Sequence, residues 1–298
     1  MSEVISAIVV NYNAGELLLR CINSLQACPL DIEIIVVDNS SADGSLDALY
    51  DMKDVQVINN LQNRGFAAAC NQGITVSHSD NLLFLNPDCS FEPNTLKKLL
   101  TQLQSNKQVG MVGGLLTNFD GSEQAGGRRA IPTPWRSFVR AFGLYHLTKY
   151  WPNLFFDFHL HKQALPSHPI EVEAISGACM LVKREVIDDV GLWDEGYFLH
   201  CEDLDWCMRF RQKGWKILFV PDAKISHALG ACSKSRKVFV EWHKHKGMIR
   251  FYNKFFKQQY PGPLIALVVI GVGLRFLLVA GYFSGQRLLN NLKGLLIS

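Results

Sequence analysis

The fold is decided by residues 4–41, VISAIVVNYNAGELLLRCINSLQACPLDIEIIVVDNSS. Two runs within it, Val4 to Val10 and Ile32 to Val37, are short, β-branched and almost continuously apolar, the composition of strands covered on both faces. Between them Leu17, Leu18, Cys21, Ile22 and Leu25 recur at spacings of three and four, which predicts a helix. Further strand candidates at Val55 to Ile58, Leu82 to Leu85 and Val109 to Val112 alternate with helical segments. That rhythm predicts an α/β domain with a mostly parallel central sheet.

In such a sheet ligands bind outside the carboxyl ends of the strands, so polar residues directly after apolar runs carry the most weight. Asn11-Tyr12-Asn13 follows the first run, Asp38-Asn39-Ser40-Ser41 the second, and Asn86-Pro87-Asp88 the run Leu82-Leu83-Phe84-Leu85. Each alone is ordinary turn and capping chemistry. Three at the strand ends of one sheet point to a ligand crevice. Neither Gly-x-Gly-x-x-Gly nor a Gly-x-x-x-x-Gly-Lys-Ser/Thr loop is present, which argues against a dinucleotide or triphosphate fingerprint.

Asp88 is a hard oxygen donor of the kind Mg²⁺ or Mn²⁺ uses alongside a substrate diphosphate. A second acidic cluster, Glu202-Asp203-Leu204-Asp205-Trp206, opens a predicted helix. Glu202 and Asp203 there serve equally well as partners of the helix dipole or as a general base. His227, just after another probable strand, is by itself more often structural than a ligand.

From Gly126 to Pro169 five prolines punctuate a run of Gly, aromatic and His residues, and irregular or mobile structure is expected. Beyond it the pattern predicts a strand from Val172 to Val182, a helix from about Asp203 and a strand ending near Val220. A basic amphipathic helix is expected from about Arg236 to Phe256. The chain has 298 residues and a net charge of +3, too small for a nucleic-acid footprint, so no nucleic-acid partner is expected. The basic excess is local: eight Lys and Arg between Lys234 and Lys257 face only Glu241. The eight cysteines form no Cys-x-x-Cys pair and read as reduced thiols in the cytosol. The N-terminus offers neither a basic leader nor a full signal-peptide core. Leu264 to Phe283 is almost wholly apolar and long enough to span a bilayer, although Arg275 interrupts it. A spanning helix, an interfacial helix or hairpin, and a buried terminal helix all fit that composition.

Taken in order, these pieces resemble the family-2 inverting glycosyltransferases of the GT-A fold, and within them the bacterial rhamnosyltransferase-like branch. The resemblance rests on Ile8 to Asn13, Val36 to Gly44, Asn63-Arg64-Gly65-Phe66-Ala67 running to Gly73, and Leu85-Asn86-Pro87-Asp88. Ser176 to Met180 and Phe198 to Trp206, followed by Arg209, complete it. It implies a GT-A domain over residues 1–230, with a donor half to about 115 and an acceptor and catalytic half after it. Residues 231–298 would form a basic helix and a membrane-associated tail. It further implies that Asn11, Tyr12, Asn13, Asp38 and Asn39 hold a nucleotide-sugar donor, with Arg64, Gly65, Asn71 and Asn86 lining the same pocket. Asp88 matches the metal-binding Asp of an Asp-x-Asp motif whose first position is Asn86 here, and His227 matches the later His that joins a Mg²⁺ or Mn²⁺ ion. Asp203 matches the catalytic base, with Glu202 as the alternative.

The implied reaction moves a sugar, rhamnose from dTDP-rhamnose being favoured over a UDP-hexose, to a polyprenol-linked or polysaccharide acceptor in cell-surface glycan synthesis. The basic helix and apolar tail suit an enzyme held peripherally or by its tail at the cytoplasmic face of the membrane. Trp242, Ile249, Phe251, Tyr252, Phe255 and Phe256 give that helix a broad apolar side and favour interfacial binding. Two other classes compete: a sugar nucleotidyltransferase, which would need a Gly-rich basic loop after the first strand, and a non-catalytic membrane-bound partner protein.

Overall fold

The computed structural model describes residues 4–228 and 236–297. Cys232 and Lys234 lie outside the described residues. In chain order the first half holds β1 (Ile5–Asn11), α1 (Glu16–Gln26), β2 (Ile32–Asp38), β3 (Val55–Asn59), α2 (Phe66–Val76), β4 (Asn81–Leu85), β5 (Cys89–Phe91), α3 (Thr95–Gln104) and β6 (Val109–Thr117). The second holds β7 (Arg128–Arg129), α4 (Pro134–Ala141), β8 (Ile170–Glu171), β9 (Ala174–Ile175), β10 (Cys179–Lys183), α5 (Arg184–Val190), α6 (Glu202–Gln212), β11 (Lys216–His227), α7 (Lys237–Phe255) and α8 (Gly262–Ile297).

The main sheet runs β3-β2-β1-β4-β10-β6-β11-β5, with β8 added against β11. The β1–β4 strands are mutually parallel, and β6 with β11 is parallel as well, whereas β10 is inserted antiparallel between β4 and β6. Strand alternation explains the unbroken apolar runs. Ile8, Val10, Ile35 and Val37 enter one core beneath α2 and α6, and their neighbours Ala7, Val9, Ile34 and Val36 enter the other with α1 and α3. The helix predicted from Leu17 to Leu25 is α1, and it buries Leu18, Cys21, Ile22 and Leu25.

Three expected elements are corrected. The strand expected from Val172 to Val182 is two pieces, β9 and β10, separated by the turn at Ser176-Gly177. The strand expected to end near Val220 runs on to His227 after a register shift between Val220 and Lys224. The span from Gly126 to Pro169 is not uniformly irregular. Pro134 sits in the first turn of α4, and the Thr133 side chain caps that helix by accepting from the Arg136 N–H. A proline that breaks a helix in its interior is well placed at its start.

The C-terminal part is corrected too. Phe251, Tyr252, Phe255 and Phe256, expected to face a membrane, are buried in the core against α6 and its surroundings. Trp242 packs on Phe276 of α8 at a ring separation of 5.2 Å. α8 is one continuous helix, not a hairpin, and its apolar stretch Gly262–Gln286 is long enough to cross a bilayer. Leu267, Ile270, Leu274, Leu277 and Leu278 are exposed, which excludes the buried terminal helix.

Charge fixes α7 against the domain. Asp194 accepts from Arg250 at 2.8 Å and Lys254 at 2.7 Å, and Lys254 reaches the fully buried Asp205 of α6 at 2.6 Å. Asp205 also takes the Arg209 side chain at 2.7 Å. Partial burial pushes the Asp194 carboxyl up, but hydrogen bonds from Lys254 and Arg250 outweigh it and hold it at about 2. A depressed folded-state value stabilises above the unfolded value near 3.8, and that contribution disappears as pH falls towards 2. Asp194→Asn is expected to cost about 1–2 kcal/mol in urea unfolding at pH 6 and nothing near pH 2. An equal cost at both pH values would contradict the ion-pair account.

Candidate active site

The register of the parallel strands aligns their carboxyl ends: Asn11 lies opposite Asp38, and Asp38 opposite Asn59. Asn11 is fully buried, and its amide donates to Asp38 Oδ1 at 2.7 Å and to Ser45 at 2.8 Å. Asp38 also accepts from the Ser41 N–H at 2.8 Å and the Ser41 hydroxyl at 2.6 Å. The Asn13 side chain accepts from the Ala42 N–H at 2.8 Å, tying the two strand-end loops together. Tyr12 is half-buried under the Arg236 guanidinium, 5.6 Å from its ring centre. Asn39 is buried, donates to the Gly65 carbonyl at 3.2 Å and accepts from Asn60 at 3.1 Å.

Gly65 has a φ of +86°, and a Cβ there would meet the Phe198 carbonyl at 2.6 Å. Only glycine lets α2 start this close to the loop that leads into α6. Arg64 beside it is exposed. Asn71, one turn into α2, is fully engaged: its amide brackets Trp193 through both backbone N–H and C=O, each at 3.0 Å, and donates to Glu195 at 2.9 Å. It braces that loop from below.

β11 carries His227 to the crevice. His227 pairs with Cys89 across the antiparallel β11–β5 ladder, which sets its ring beside Asp88, with Nε2 3.2 Å from Asp88 Oδ1 and 3.4 Å from Asn86 Nδ2. The other ring nitrogen, Nδ1, lies 2.6 Å from Gln124 Oε1. The buried Gln124 amide nitrogen donates to Asn118 Oδ1 and to the His227 carbonyl, so its oxygen is left to accept. The neutral imidazole therefore carries its hydrogen on Nδ1 and turns the Nε2 lone pair towards Asp88. Two acceptors 3.2 Å apart repel each other unless a proton or cation lies between them. A carboxylate and an imidazole suit Mg²⁺ or Mn²⁺. Cys89 Sγ lies in the same group of atoms, but burial, and secondarily the Asp88 charge, hold it as a thiol that donates to the Ala178 carbonyl.

Asp203 stands in the first turn of α6. Its carboxylate forms an ion pair with Arg129, accepts from the Gly177 N–H at 3.1 Å and from the Leu204 N–H at 2.7 Å. The adjoining Ala178 carbonyl accepts from the Asn86 N–H at 2.9 Å, so one turn, Ser176 to Ala178, stands between the two acidic groups. Glu202 is buried, and one of its oxygens has no hydrogen-bond partner. Desolvation, aided by the Asp203 charge, raises its carboxyl well above the usual range. The residues with positive φ other than glycine among those described are Asn13 and Ser40, in the loops after β1 and β2, and His200 and Cys201, directly before α6. Strain of this kind persists where surrounding contacts hold it.

Sequence reasoning missed Arg129, Gln124 and Ser45. Arg129 and Gln124 lie in or beside short bridged segments with no periodic pattern. Ser41 was visible only as part of the polar loop after the second strand.

The family model for glycosyl transferase family 2 matches residues 6–191, the span that builds this crevice. The chain belongs to glycosyl transferase family 2. Within that family it falls in the rhamnosyltransferase-like branch. The N-acetylglucosaminyl-diphospho-decaprenol L-rhamnosyltransferase of Mycobacterium tuberculosis is 28% identical over 240 residues, 76% of each chain. The dTDP-rhamnosyl transferase RfbF of Shigella flexneri is 26% identical over 243 residues, 80% of this chain and 73% of that one. Among solved structures, the mannosyltransferase PcManGT of Pyrobaculum calidifontis, in complex with GDP-Man and Mn²⁺, superposes with a TM-score of 0.57 at 16% identity, covering 93% of this chain and 72% of that one. GalNAc-T7 with UDP, GalNAc and Mn²⁺ superposes at 0.55 with 19% identity, covering 75% of this chain and 43% of that one. The fold is GT-A, and the protein is a glycosyltransferase.

In this glycosyltransferase the Gln124 contact fixes the His227 tautomer whose Nε2 lone pair faces Asp88. Gln124→Leu is expected to weaken Mn²⁺ binding about 10- to 100-fold by paramagnetic resonance titration. Unchanged affinity would remove Gln124 from the site.

Proposed function

We propose that the protein is an inverting, metal-assisted glycosyltransferase that moves rhamnose from dTDP-rhamnose onto a polyprenol-diphosphate-linked glycan at the cytoplasmic membrane face. The observation that carries it is the pairing of Asp203 and Asp88 across the Ser176–Ala178 turn. In an inverting displacement the acceptor hydroxyl attacks the anomeric carbon from the face opposite the departing diphosphate, so a base and a cation site must oppose each other. Asp88 and His227 would hold the Mg²⁺ or Mn²⁺, which supplies positive charge for the leaving diphosphate. Asp38 and Asn39, fixed by Asn11 and Ser41, line the nucleotide pocket with Tyr12, Asn13, Arg64 and Asn86, while Gly65 and Asn71 set its wall.

Asp203 accepts the acceptor's proton as the new C–O bond forms and the bond to the diphosphate oxygen breaks. Glu202 suits this role less, because burial and the neighbouring Asp203 charge disfavour the ionised form that a general base needs. Arg129 holds the Asp203 carboxylate aimed until the acceptor arrives. Burial alone would weaken the Arg129 charge, and the Asp203 carboxylate more than offsets it. The rhamnose donor and polyprenol acceptor are supported by the names of the two bacterial relatives. Membrane attachment is supported by the exposed α8.

The test is transfer from labelled dTDP-rhamnose and UDP-hexoses to N-acetylglucosaminyl-diphospho-polyprenol with Mg²⁺ or Mn²⁺, with the product's anomeric configuration read by NMR. Turnover of dTDP-rhamnose with inversion is expected. Asp203→Asn should lower kcat about 10²- to 10⁴-fold, and Asp88→Ala should lose metal-stimulated turnover, while Glu202→Gln retains most activity. Turnover of a UDP-hexose alone would replace the donor assignment, and loss of activity in Glu202→Gln but not Asp203→Asn would reverse the roles.

A further inference from the structure

The segment between β7 and β8 builds an exposed aromatic platform that neither the fold nor the crevice uses. Trp135, Phe138 and Phe142 lie on one face of α4 and just beyond it, with ring separations of 5.6 and 4.6 Å. The series continues from Trp135 to Phe155 at 6.2 Å, to Trp151 at 6.0 Å and to Tyr150 at 6.0 Å. Trp135, Phe138, Phe142, Tyr150 and Trp151 are 41–69% exposed. So much contiguous aromatic surface on a water-soluble face marks an interaction site.

We infer that this platform is a second membrane-docking surface, separate from α8, that lays the catalytic crevice against the headgroup layer of an anionic leaflet. Three observations select lipid as the occupant. The first is composition: Trp, Tyr and Phe side chains gather where one end meets hydrocarbon and the other water. The second is charge. Between Ala130 and Pro169 the sequence carries Arg136, Arg140, Lys149 and Lys162 against Asp157 alone; Arg140 takes up that acid at 2.9 Å and Arg136 pairs with Glu173 at 2.6 Å, which leaves Lys149 and Lys162 for a headgroup. Lys149 and Lys162 lie over the Tyr150 and Tyr145 rings, where an anionic headgroup can reach them. The third is continuity. Ser137 of α4 meets the Tyr252 hydroxyl of α7 at 2.6 Å, and α7 packs along α8 through Trp242 and Phe276. At its other end α4 follows Arg129, the partner of Asp203, within a few residues. A platform pressed on the bilayer would therefore set the acceptor side of the crevice at the depth of a lipid diphosphate. This inference rests on the lipid-linked acceptor and the membrane-attached tail proposed above.

The experiment places an environment-sensitive fluorophore on single cysteines of the full chain, in a Cys232→Ser background, since the seven described cysteines are buried. The positions are Phe142→Cys and Trp151→Cys on the platform, Leu278→Cys on α8, and Leu61→Cys, fully exposed after the edge strand β3, as the reference. With vesicles of phosphatidylethanolamine and phosphatidylglycerol, labels at 142 and 151 should brighten about twofold or more and be quenched by nitroxide lipids, while 61 stays in water. Phe138→Gln with Phe142→Gln in the unlabelled chain should weaken vesicle binding about tenfold without moving the thermal midpoint. If 142 and 151 remain as open to aqueous quencher as 61 while 278 is quenched by lipid, the tail docks and the platform inference fails. If 142 and 151 enter lipid and 278 does not, the platform stands and the tail assignment fails. Shielding of 142 and 151 that grows with protein concentration in the absence of vesicles would assign the face to a second copy and overturn the inference.

Discussion

The site depends on the antiparallel insertion of β10 between two parallel blocks. Because β10 runs against β4, its leading turn, Ser176 to Ala178, arrives at the carboxyl ends of β1, β2 and β4 rather than at their amino ends. That turn gives one backbone N–H to Asp203 and accepts another from Asn86. The distance between the acidic groups is thereby set by backbone, which has far fewer ways to relax than a side chain. A parallel strand at this place would carry its turn to the opposite edge and leave α6 with nothing to face.

The donor side is held by a different kind of constraint. Asn11, Asp38, Ser41 and Ser45 hydrogen-bond one another beneath the crevice, with Asn11 Oδ1 left unpartnered, and the loops above them adopt positive-φ backbone at Asn13 and Ser40. A buried polar network of this kind resists rearrangement because breaking a contact leaves a further buried group unpaired. The Asp88 and His227 side follows the same logic, with Gln124 locking the histidine tautomer from behind. Both pockets are prepared by residues that need not touch the ligand they serve.

How much of this was legible in the sequence varies with how local the signal is. β1, α1, β2 and α6 were readable because their periodicity is carried by consecutive residues, and Asp38, Asp88 and Asp203 were readable because they stand at the ends of those elements. The meeting of Asp88 with His227 was legible only through the family resemblance and not from periodicity or spacing, since it depends on the β11–β5 register and on a strand that continues through Pro221 and past the expected end at Val220. Nor was the helix α4, where Pro134 reads as a break but acts as a start. The aromatics of α7 were readable as apolar and misread in direction: a helix that buries Phe251 and Phe255 against a soluble core has the same composition as one that lies on lipid.

The ion pair between Arg129 and Asp203 has a consequence for fidelity. In the role proposed above for Asp203, the seated guanidinium would leave a stray water facing a carboxylate already engaged, so the contact that aims the base would also guard it.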